Sequence, residues 1–324
     1  FFVHSIERPF LDKSPFLPAL PADFVLSMGP GLRFQYATGG SQLHLVDTWK
    51  KVSDVQDSER FDPDRQIVYH LFTRQNPTVS QPLLHGNDAL IGMTNHDARR
   101  RTIVILHGWL DSVTSTLAST SVPAFLGAED VNVIVVDWGA VSSSNGCSKG
   151  QSSGNYFINW LNSVTGATGA SYHIVGHSLG AHMAGVIGRN VDSEVAYITA
   201  GPGFVTNKEK LRESDSAYTE VIHTNAGLLG YLATMGHADF YPNGGINMPG
   251  CNSQSCDHER SIFYFTESIT SGGFKGTKCA TYIGAMSGNC ILFGSLRMGG
   301  LVPKTGSSGI YYMTTNASPP FSQK

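Results

Sequence analysis

The sequence predicts an α/β fold in which helices cover both faces of a mainly parallel central sheet. Short segments rich in β-branched residues have the length of strands, and they lie at residues 67–73, 101–106, 131–136, 172–175, 195–200 and 218–224. Helical stretches separate several of these segments, which favours parallel strands joined by right-handed crossovers. The fully apolar segments are typical of strands buried on both faces. A ligand site is therefore expected at the carboxyl ends of the strands.

The first 65 residues are predicted to form an irregular, extended arm, because prolines recur between Pro9 and Pro30. Several phenylalanines make this arm too apolar for a free linker, so we expect it to pack on the domain formed by residues 66–324. Inside that domain, a loop is predicted at the Ser/Gly-rich residues 142–154 and a helix at residues 155–164.

Composition excludes several classes of function. The chain has 324 residues, with 22 Lys and Arg against 25 Asp and Glu, and so a formal net charge of −3. This balance gives no electrostatic case for a nucleic-acid partner. No apolar run approaches the roughly 18 residues that a membrane span needs. The histidines and cysteines show no zinc-ligand spacing, so neither a metal nor another cofactor is expected.

The cysteine spacing indicates an oxidising compartment. Cys251 and Cys256 enclose four residues, and Cys279 and Cys290 enclose ten, so each pair is close enough for a local disulfide. Two such disulfides predict a secreted protein. Cys147 is then the odd cysteine, which is free, buried, or paired with a partner or a lost segment.

The segment around Ser178 predicts a serine nucleophile. An apolar strand at residues 172–175 leads into Gly176-His177-Ser178-Leu179-Gly180, and a helical segment at residues 181–187 follows. This is the G-x-S-x-G elbow, in which a sharp strand-to-helix turn exposes the serine oxygen above the sheet. The glycines are required because the backbones pass too closely for side chains. The alternative interpretation is an accidental turn.

A serine nucleophile also needs an oxyanion hole and a base. His107-Gly108-Trp109 follows a predicted strand, which places backbone N–H groups beside the expected oxyanion, with the N–H of Leu179 as second donor. A simple turn at the end of the strand is the alternative.

The base is expected after the serine in the chain. His258 follows Cys256 in a predicted loop held by a disulfide, although a loop histidine is more often structural. His177 and His182 flank the serine, and their expected directions suit packing better than proton transfer.

Several motifs recur in combination over about residues 66–321. They are H-G-W at 107–109, V-D-W-G at 136–139, V-G-H-S-L-G-A-H at 175–182, V-I-H-T-N-A-G at 221–227, G-H-A-D-F-Y-P-N-G-G at 236–245, P-G-C at 249–251 and C-D-H at 256–258. In these motifs the chain resembles the pancreatic (neutral) lipase family of secreted α/β-hydrolases, in particular its insect branch of lipases, phospholipases A1 and yolk proteins. The resemblance implies that Ser178 is the nucleophile, His258 the base, and the N–H groups of Trp109 and Leu179 the oxyanion hole.

The triad acid is missing at the position that the resemblance implies. The family carries it in a segment resembling I-T-A-L-D-P-A-G-P, whereas residues 198–204 read I-T-A-G-P-G-F, so four residues including the aspartate are absent after Ala200. Conceivable substitutes for orienting the base are Asp215, Asp239, Glu213 and Asn225. None of them occupies the matching position, and a loop missing from the sequence is the remaining alternative.

The lid and the C-terminal region also depart from the family pattern. Only four polar residues, Asn252-Ser253-Gln254-Ser255, separate the two cysteines where family lipases carry a lid of some twenty residues. Such a segment cannot cover an apolar groove, so an open site is expected. No C-terminal β-sandwich domain follows in the sequence, and colipase is not an expected partner.

Two functions follow from this pattern. The first is a secreted carboxylic-ester hydrolase acting on lipid esters, preferring phospholipid or small esters to emulsified triglyceride and with weakened or lost activity. The expected partners are a lipid or ester substrate or a bound lipid, with peripheral membrane contact. The second is a catalytically inactive storage or lipid-carrying protein of the yolk type.

Overall fold

The computed structural model describes residues 67–109, 111–139, 147–205, 209–290 and 294–323, with the side chains of residues 147–153 left out. Within the first 66 residues it describes the backbone of four short strands, β1 (Met28–Gly29), β2 (Gly31–Leu32), β3 (Phe34–Gly39) and β4 (Gln42–Asp47). β1 pairs with β2, and β3 with β4, both antiparallel, which is more regular structure than the proline content predicts. The expected packing of the arm on the domain lies outside the described residues.

One sheet of eleven strands organises the described part of the chain. Its strands are β5 (Val68–Phe72), β6 (Gln81–Leu83), β7 (Thr102–Leu106), β8 (Asn132–Asp137), β9 (Tyr172–Ser178), β10 (Tyr197–Pro202), β11 (Thr219–Ile222), β12 (Ala238–Pro242), β13 (Phe274–Cys279), β14 (Ser295–Met298) and β15 (Gly309–Met313). They lie in the order β14-β13-β15-β12-β11-β10-β9-β7-β8-β5-β6. The strands from β15 to β8 are parallel, and antiparallel strands form both edges. The predicted, mainly parallel sheet is confirmed.

Helices cover both faces of this sheet, as predicted. They are α1 (Asp88–Ile91), α2 (Thr116–Ala128), α3 (Cys147–Thr165), α4 (Leu179–Asn190), α5 (Gln254–Ser271) and α6 (Tyr282–Ser287). Along β7 the side chains alternate, so that Val104 and Leu106 join the core beneath α3 and α4. Ile103 and Ile105 join the opposite core, beneath α2 and α5. The two cores hold the sheet between layers of helices.

The predicted loop at residues 142–154 is wrong in its second half, because α3 already begins at Cys147. Glycine and serine disfavour a helix in isolation, but tertiary packing overrides propensity. Gly154 shows how: a Cβ atom there would lie 2.5 Å from Cδ1 of Ile187 on α4. The glycine therefore allows α3 and α4 to approach closely. From composition alone, the same glycine predicts a loop.

Both predicted disulfides are formed, Cys251–Cys256 and Cys279–Cys290. The side chain of Cys147 lies outside the described residues. No helix in the described ranges combines the length and the apolar character of a membrane span.

A buried ion pair joins β11 to the loop after β14. Glu220 is fully buried, and the ammonium of Lys304 contacts its carboxylate. Gly299 donates its N–H to the same carboxylate, and the Tyr218 hydroxyl donates to it at 3.2 Å. Burial raises the pKa of Glu220, and the positive charge of Lys304 opposes that shift. The pair ties the loop that contains Lys304 to the centre of the sheet.

Candidate active site

Ser178 occupies a strained turn between β9 and α4. Its backbone has φ 55° and ψ −123°, a conformation that costs a residue other than glycine on the order of 1–3 kcal/mol. A Cβ atom on Gly176 would lie 2.5 Å from the carbonyl oxygen of Gly180, and one on Gly180 would overlap the carbonyl oxygens of Leu106 and His107. Both glycines of the motif are therefore required by close backbone contacts, as the sequence indicates.

The loop after β7 lies directly beside this serine. β7 pairs with β9 so that Leu106 lies opposite Gly176, and a Cβ on Gly108 would lie 3.2 Å from the Ser178 Cβ. The N–H of Leu179 is at the amino end of α4, where no earlier turn supplies a helical acceptor. Trp109 and Leu179, the two predicted oxyanion donors, therefore belong to segments that flank Ser178.

His107 holds residues 107–109, the predicted oxyanion loop, in place. The Trp138 N–H donates to its Nε2 at 3.2 Å, so Nδ1 carries the proton and donates to the Gly108 carbonyl at 2.8 Å. The Trp138 indole returns a hydrogen bond to the His107 carbonyl at 3.2 Å. The H-G-W and D-W-G motifs thus form one buried unit behind the loop.

The prediction that His258 lies in a loop is wrong, because it lies in the second turn of α5. The helix begins at Gln254 and is capped by Ser253, whose hydroxyl accepts from the Cys256 N–H at 3.3 Å. Serine is a preferred N-cap residue, so this signal was available in the sequence. Only Asn252 and Ser253 separate Cys251 from the first residue of the helix, so His258 already lies within it.

The His258 ring is buried without a hydrogen-bond partner. Only 8% of the residue is exposed, and neither ring nitrogen has a partner among the described residues. The nearest ring is that of His177, with centroids 4.6 Å apart. Burial lowers the pKa of His258 well below its usual value, and the charge of His177 adds to this effect. The ring is neutral at pH 7, but neither Ser178 nor a carboxylate orients it here.

Ser261 occupies the space beside the strand where an acid is expected. β10 continues through Gly201 and Pro202, which lie opposite His177 and Ser178 in the sheet register. A Cβ on Gly201 would lie 2.8 Å from the Ser261 Cβ. Any side chain at position 201 therefore needs Ser261 to move, and the described strand carries no carboxylate at its end.

The two buried carboxylates that were candidates for orienting His258 form contacts with other residues. Asp215 forms an ion pair with Arg189 at 2.7 Å, and Asp239 accepts from His223 Nε2 at 2.8 Å. Neither contacts the ring of His258. The His223–Asp239 pair is a buried histidine–carboxylate contact that the sequence analysis missed, although H-T-N and G-H-A-D mark both ends of it.

The other two candidates are also not in place. Glu213 is exposed. The side-chain oxygen of Asn225 accepts from the Leu229 N–H at 2.9 Å, while its amide nitrogen is buried without a partner. In the described chain, His258 has no partner of the kind that a triad acid provides.

His177 and His182 are held by backbone atoms. His177 Nε2 donates to the His258 carbonyl at 3.3 Å. His182 Nε2 donates to the Gly203 carbonyl at 2.8 Å, and its Nδ1 accepts from the Leu211 N–H at 3.1 Å. Burial lowers the pKa of both rings to about 4.

These two histidines predict acid sensitivity of the fold. The folded protein keeps both rings neutral, whereas in the unfolded chain they are protonated below about pH 6.5. The stability that the neutral rings contribute is therefore fully present above about pH 6.5 and is lost as the pH falls towards about 4. Each ring contributes on the order of 3 kcal/mol to this loss. Urea midpoints between pH 7.5 and 4.5 measure it, and His182→Gln is expected to make the dependence shallower. A midpoint that does not change over this range contradicts the prediction.

Two carboxylates, Glu259 and Asp111, lie near His258 and the loop at residues 107–109. Glu259 follows His258 on α5, and burial together with the charge of Asp111 raises its pKa to about 7. Asp111 is partly exposed after the oxyanion loop. This part of the site therefore gains negative charge as the pH rises through neutrality.

The segment between Cys251 and Cys256 is too short to cover the serine. Asn252 and Ser253 are exposed, and the next residues already belong to α5. Among the described residues, no three histidine, cysteine, aspartate or glutamate side chains are grouped so that they could hold a metal ion.

The sheet order and the strained serine between β9 and α4 are those of the α/β-hydrolase fold. A family model described as Lipase matches residues 35–321. The chain is 33% identical over 250 residues to Lipase member H-B of Xenopus laevis, covering 68% of this chain and 52% of that protein. It is 31% identical over 257 residues to pancreatic triacylglycerol lipase of Homo sapiens, covering 68% and 55%. The chain belongs to the lipase family.

The chain spans about half the length of the curated relatives it matches. Among solved structures, an alpha/beta hydrolase enzyme from a Medee basin deep-sea metagenome library is similar over 50% of this chain and 66% of that chain. The TM-score is 0.33 and the identity 11%, and the fold assignment rests instead on the strand order described above.

Proposed function

We propose that the chain is a secreted serine carboxylic-ester hydrolase that acts on lipid esters. The observation that carries this proposal is the strained backbone of Ser178 (φ 55°) beside the oxyanion loop, because such strain persists where a site requires it. Ser178 Oγ attacks the ester carbonyl, His258 accepts its proton, and the N–H groups of Trp109 and Leu179 stabilise the oxyanion. The tetrahedral intermediate collapses as the ester C–O bond breaks, and protonated His258 gives its proton to the departing alcohol. Water, with its proton taken by His258, then attacks the acyl-Ser178 ester, and the carboxylic acid and free Ser178 are released.

Turnover is expected to be weak, because no acid among the described residues orients His258. In a serine protease triad, replacing the acid by asparagine lowers turnover about ten-thousandfold, while the oxyanion hole and binding retain an acceleration of about 10³–10⁴ over water. We attribute the difference from a complete triad to the four residues missing after Ala200. A slow enzyme with an intact nucleophile is the expected result.

The surface beside Ser178 supports a lipid substrate. Phe204, Leu228 and Leu229 are 55%, 49% and 39% exposed. The Phe204 N–H donates to the Leu229 carbonyl at 2.7 Å, and the Gly203 N–H donates to the Ser178 carbonyl at 3.1 Å, so these residues adjoin the nucleophile. With only a short polar segment as a lid, the site suits phospholipid or small esters better than emulsified triglyceride.

Replacing Leu228 by serine is expected to weaken binding to phospholipid vesicles about tenfold. A half-exposed leucine that becomes buried in lipid contributes about 1–2 kcal/mol. Vesicle co-sedimentation measures the affinity, and Val79→Ser is the control because Val79 is 74% exposed on the loop between β5 and β6. If both variants bind like the wild type, the residues near Phe204 do not form the lipid contact.

A fluorescent organophosphonate tests the proposed nucleophile. The wild type is expected to be labelled at Ser178 and Ser178→Ala to remain unlabelled, with the site located by mass spectrometry. Ser119→Ala is the control, since Ser119 is exposed on α2. Absence of labelling in the wild type contradicts the proposal.

A second function is favoured by the orphaned His258 ring. It is that of a catalytically inactive storage or lipid-carrying protein, of the yolk type found on the insect branch that the sequence motifs resemble. Turnover of short-chain p-nitrophenyl esters at ordinary enzyme rates, abolished by Ser178→Ala, excludes this second function.

A further inference from the structure

We infer that His258 is positioned through its backbone carbonyl, by the side chains of Thr224, Ser261 and His177. The Thr224 hydroxyl donates to this oxygen at 2.9 Å, the Ser261 hydroxyl at 3.1 Å and His177 Nε2 at 3.3 Å. The inference rests on the proposed function, in which His258 is the base. These are positioning residues, because none of them is placed at the reacting atoms.

The three donors come from three different elements. His177 is in β9, directly before Ser178; Thr224 follows β11; and Ser261 is one helical turn after His258 on α5. A serine that bonds three residues back along its own helix is ordinary. The contacts from His177 in β9 and from Thr224 after β11 are not part of helix formation. The His177 contact joins the base directly to the strand that carries the nucleophile.

Burial makes these contacts specific. Thr224 and Ser261 are each 3% exposed, and His177 and His258 each 8%. In such surroundings a hydrogen bond is stronger than in water, and an unpaired partner is costly. Water cannot readily replace a lost donor here. The hydroxyls therefore fix the backbone of His258 relative to Ser178, while the ring itself lacks an orienting acid.

The consequence for the reaction is a selective effect on the chemical step. The buried hydroxyls fix the position of His258, the proposed base. Their loss is therefore expected to slow proton transfer and to leave substrate binding unaltered. A merely structural role would lower stability and leave the reactivity of the folded protein unchanged.

The test compares two buried threonines. Thr224→Val removes the hydroxyl that contacts His258. Thr219→Val removes one in β11 that bonds the Glu213 carbonyl at 3.1 Å. The measurements are the rate constant of inactivation by a p-nitrophenyl phosphonate, its pH profile, and kcat and KM for a short-chain ester. Thr224→Val is expected to slow inactivation and kcat about tenfold with KM within about twofold, and Thr224→Ser to restore both.

Equal inactivation rates for Thr224→Val and Thr219→Val, or no recovery in Thr224→Ser, overturn the inference. If the wild type itself does not react with the phosphonate, the proposed function fails. The position of the His258 ring is then measured by NMR of the histidine side chains. In that case the His258 ring signal is expected to shift or broaden in Thr224→Val and to stay unchanged in Thr219→Val. An unchanged signal in both variants overturns the inference independently of activity.

Discussion

Lys304→Met is expected to lower the free energy of unfolding by about 3 kcal/mol. Removing one partner of a buried ion pair leaves the other charge uncompensated, at a cost of about 3–5 kcal/mol. The lower end of this energy range applies because the Lys304 side chain is 18% exposed, whereas the Glu220 side chain is fully buried. Urea unfolding followed by circular dichroism measures the change.

A double variant separates the charge from the packing. Adding Glu220→Gln to Lys304→Met removes the buried carboxylate, so we expect most of the lost stability to return. Lys275→Met is the matched control, because Lys275 is exposed on β13 and should change stability by less than about 0.5 kcal/mol. A Lys304→Met protein as stable as Lys275→Met would show that the ion pair contributes nothing.

Gly180→Ala is expected to destabilise the fold and to slow the reaction of the proposed nucleophile Ser178. The new methyl group would overlap the carbonyl oxygens of Leu106 and His107, which are backbone atoms that cannot rotate away. Overpacking of this kind costs about 3 kcal/mol. Because the oxyanion loop must move away from Ser178, a displacement of roughly 1 Å slows organophosphonate labelling about a hundredfold.

Gly127→Ala provides the matched control for this substitution. Gly127 lies in α2, and nothing lies within 4 Å of the Cβ position. Alanine in a helix is favoured over glycine by about 0.5–1 kcal/mol, so this variant is expected to be slightly more stable and to be labelled like the wild type. If Gly180→Ala behaves in the same way, the elbow does not depend on the close contact.

Local signals in the sequence predict the sheet and the elbow well. Apolar strands and the pattern around Ser178 are short-range features, so the strand at residues 101–106 and the turn after β9 lie where the sequence places them. The start of α3 was missed because Gly154 serves a contact with another helix. Contacts between distant helices cannot be predicted from local composition.

The surroundings of His258 show more clearly what the sequence cannot predict. The resemblance predicts that an aspartate is absent after Ala200, but the sequence does not predict which residue lies beside the strand there. Ser261 lies sixty positions after Gly201 in the chain, and the two meet only because α5 crosses β10. The contact of Thr224 with the His258 carbonyl also has no local signal.

The helical position of His258 determines how its ring can move. A histidine on a loop reaches a substrate by changes in its own φ and ψ angles, whereas those angles are fixed here by the turns of α5 on either side. Only the two side-chain torsions remain, and each has a few staggered or broad minima. The approach of the ring to Ser178 is then a choice among a small number of rotamers. A substrate or a mutation alters the reaction by shifting the populations of those rotamers.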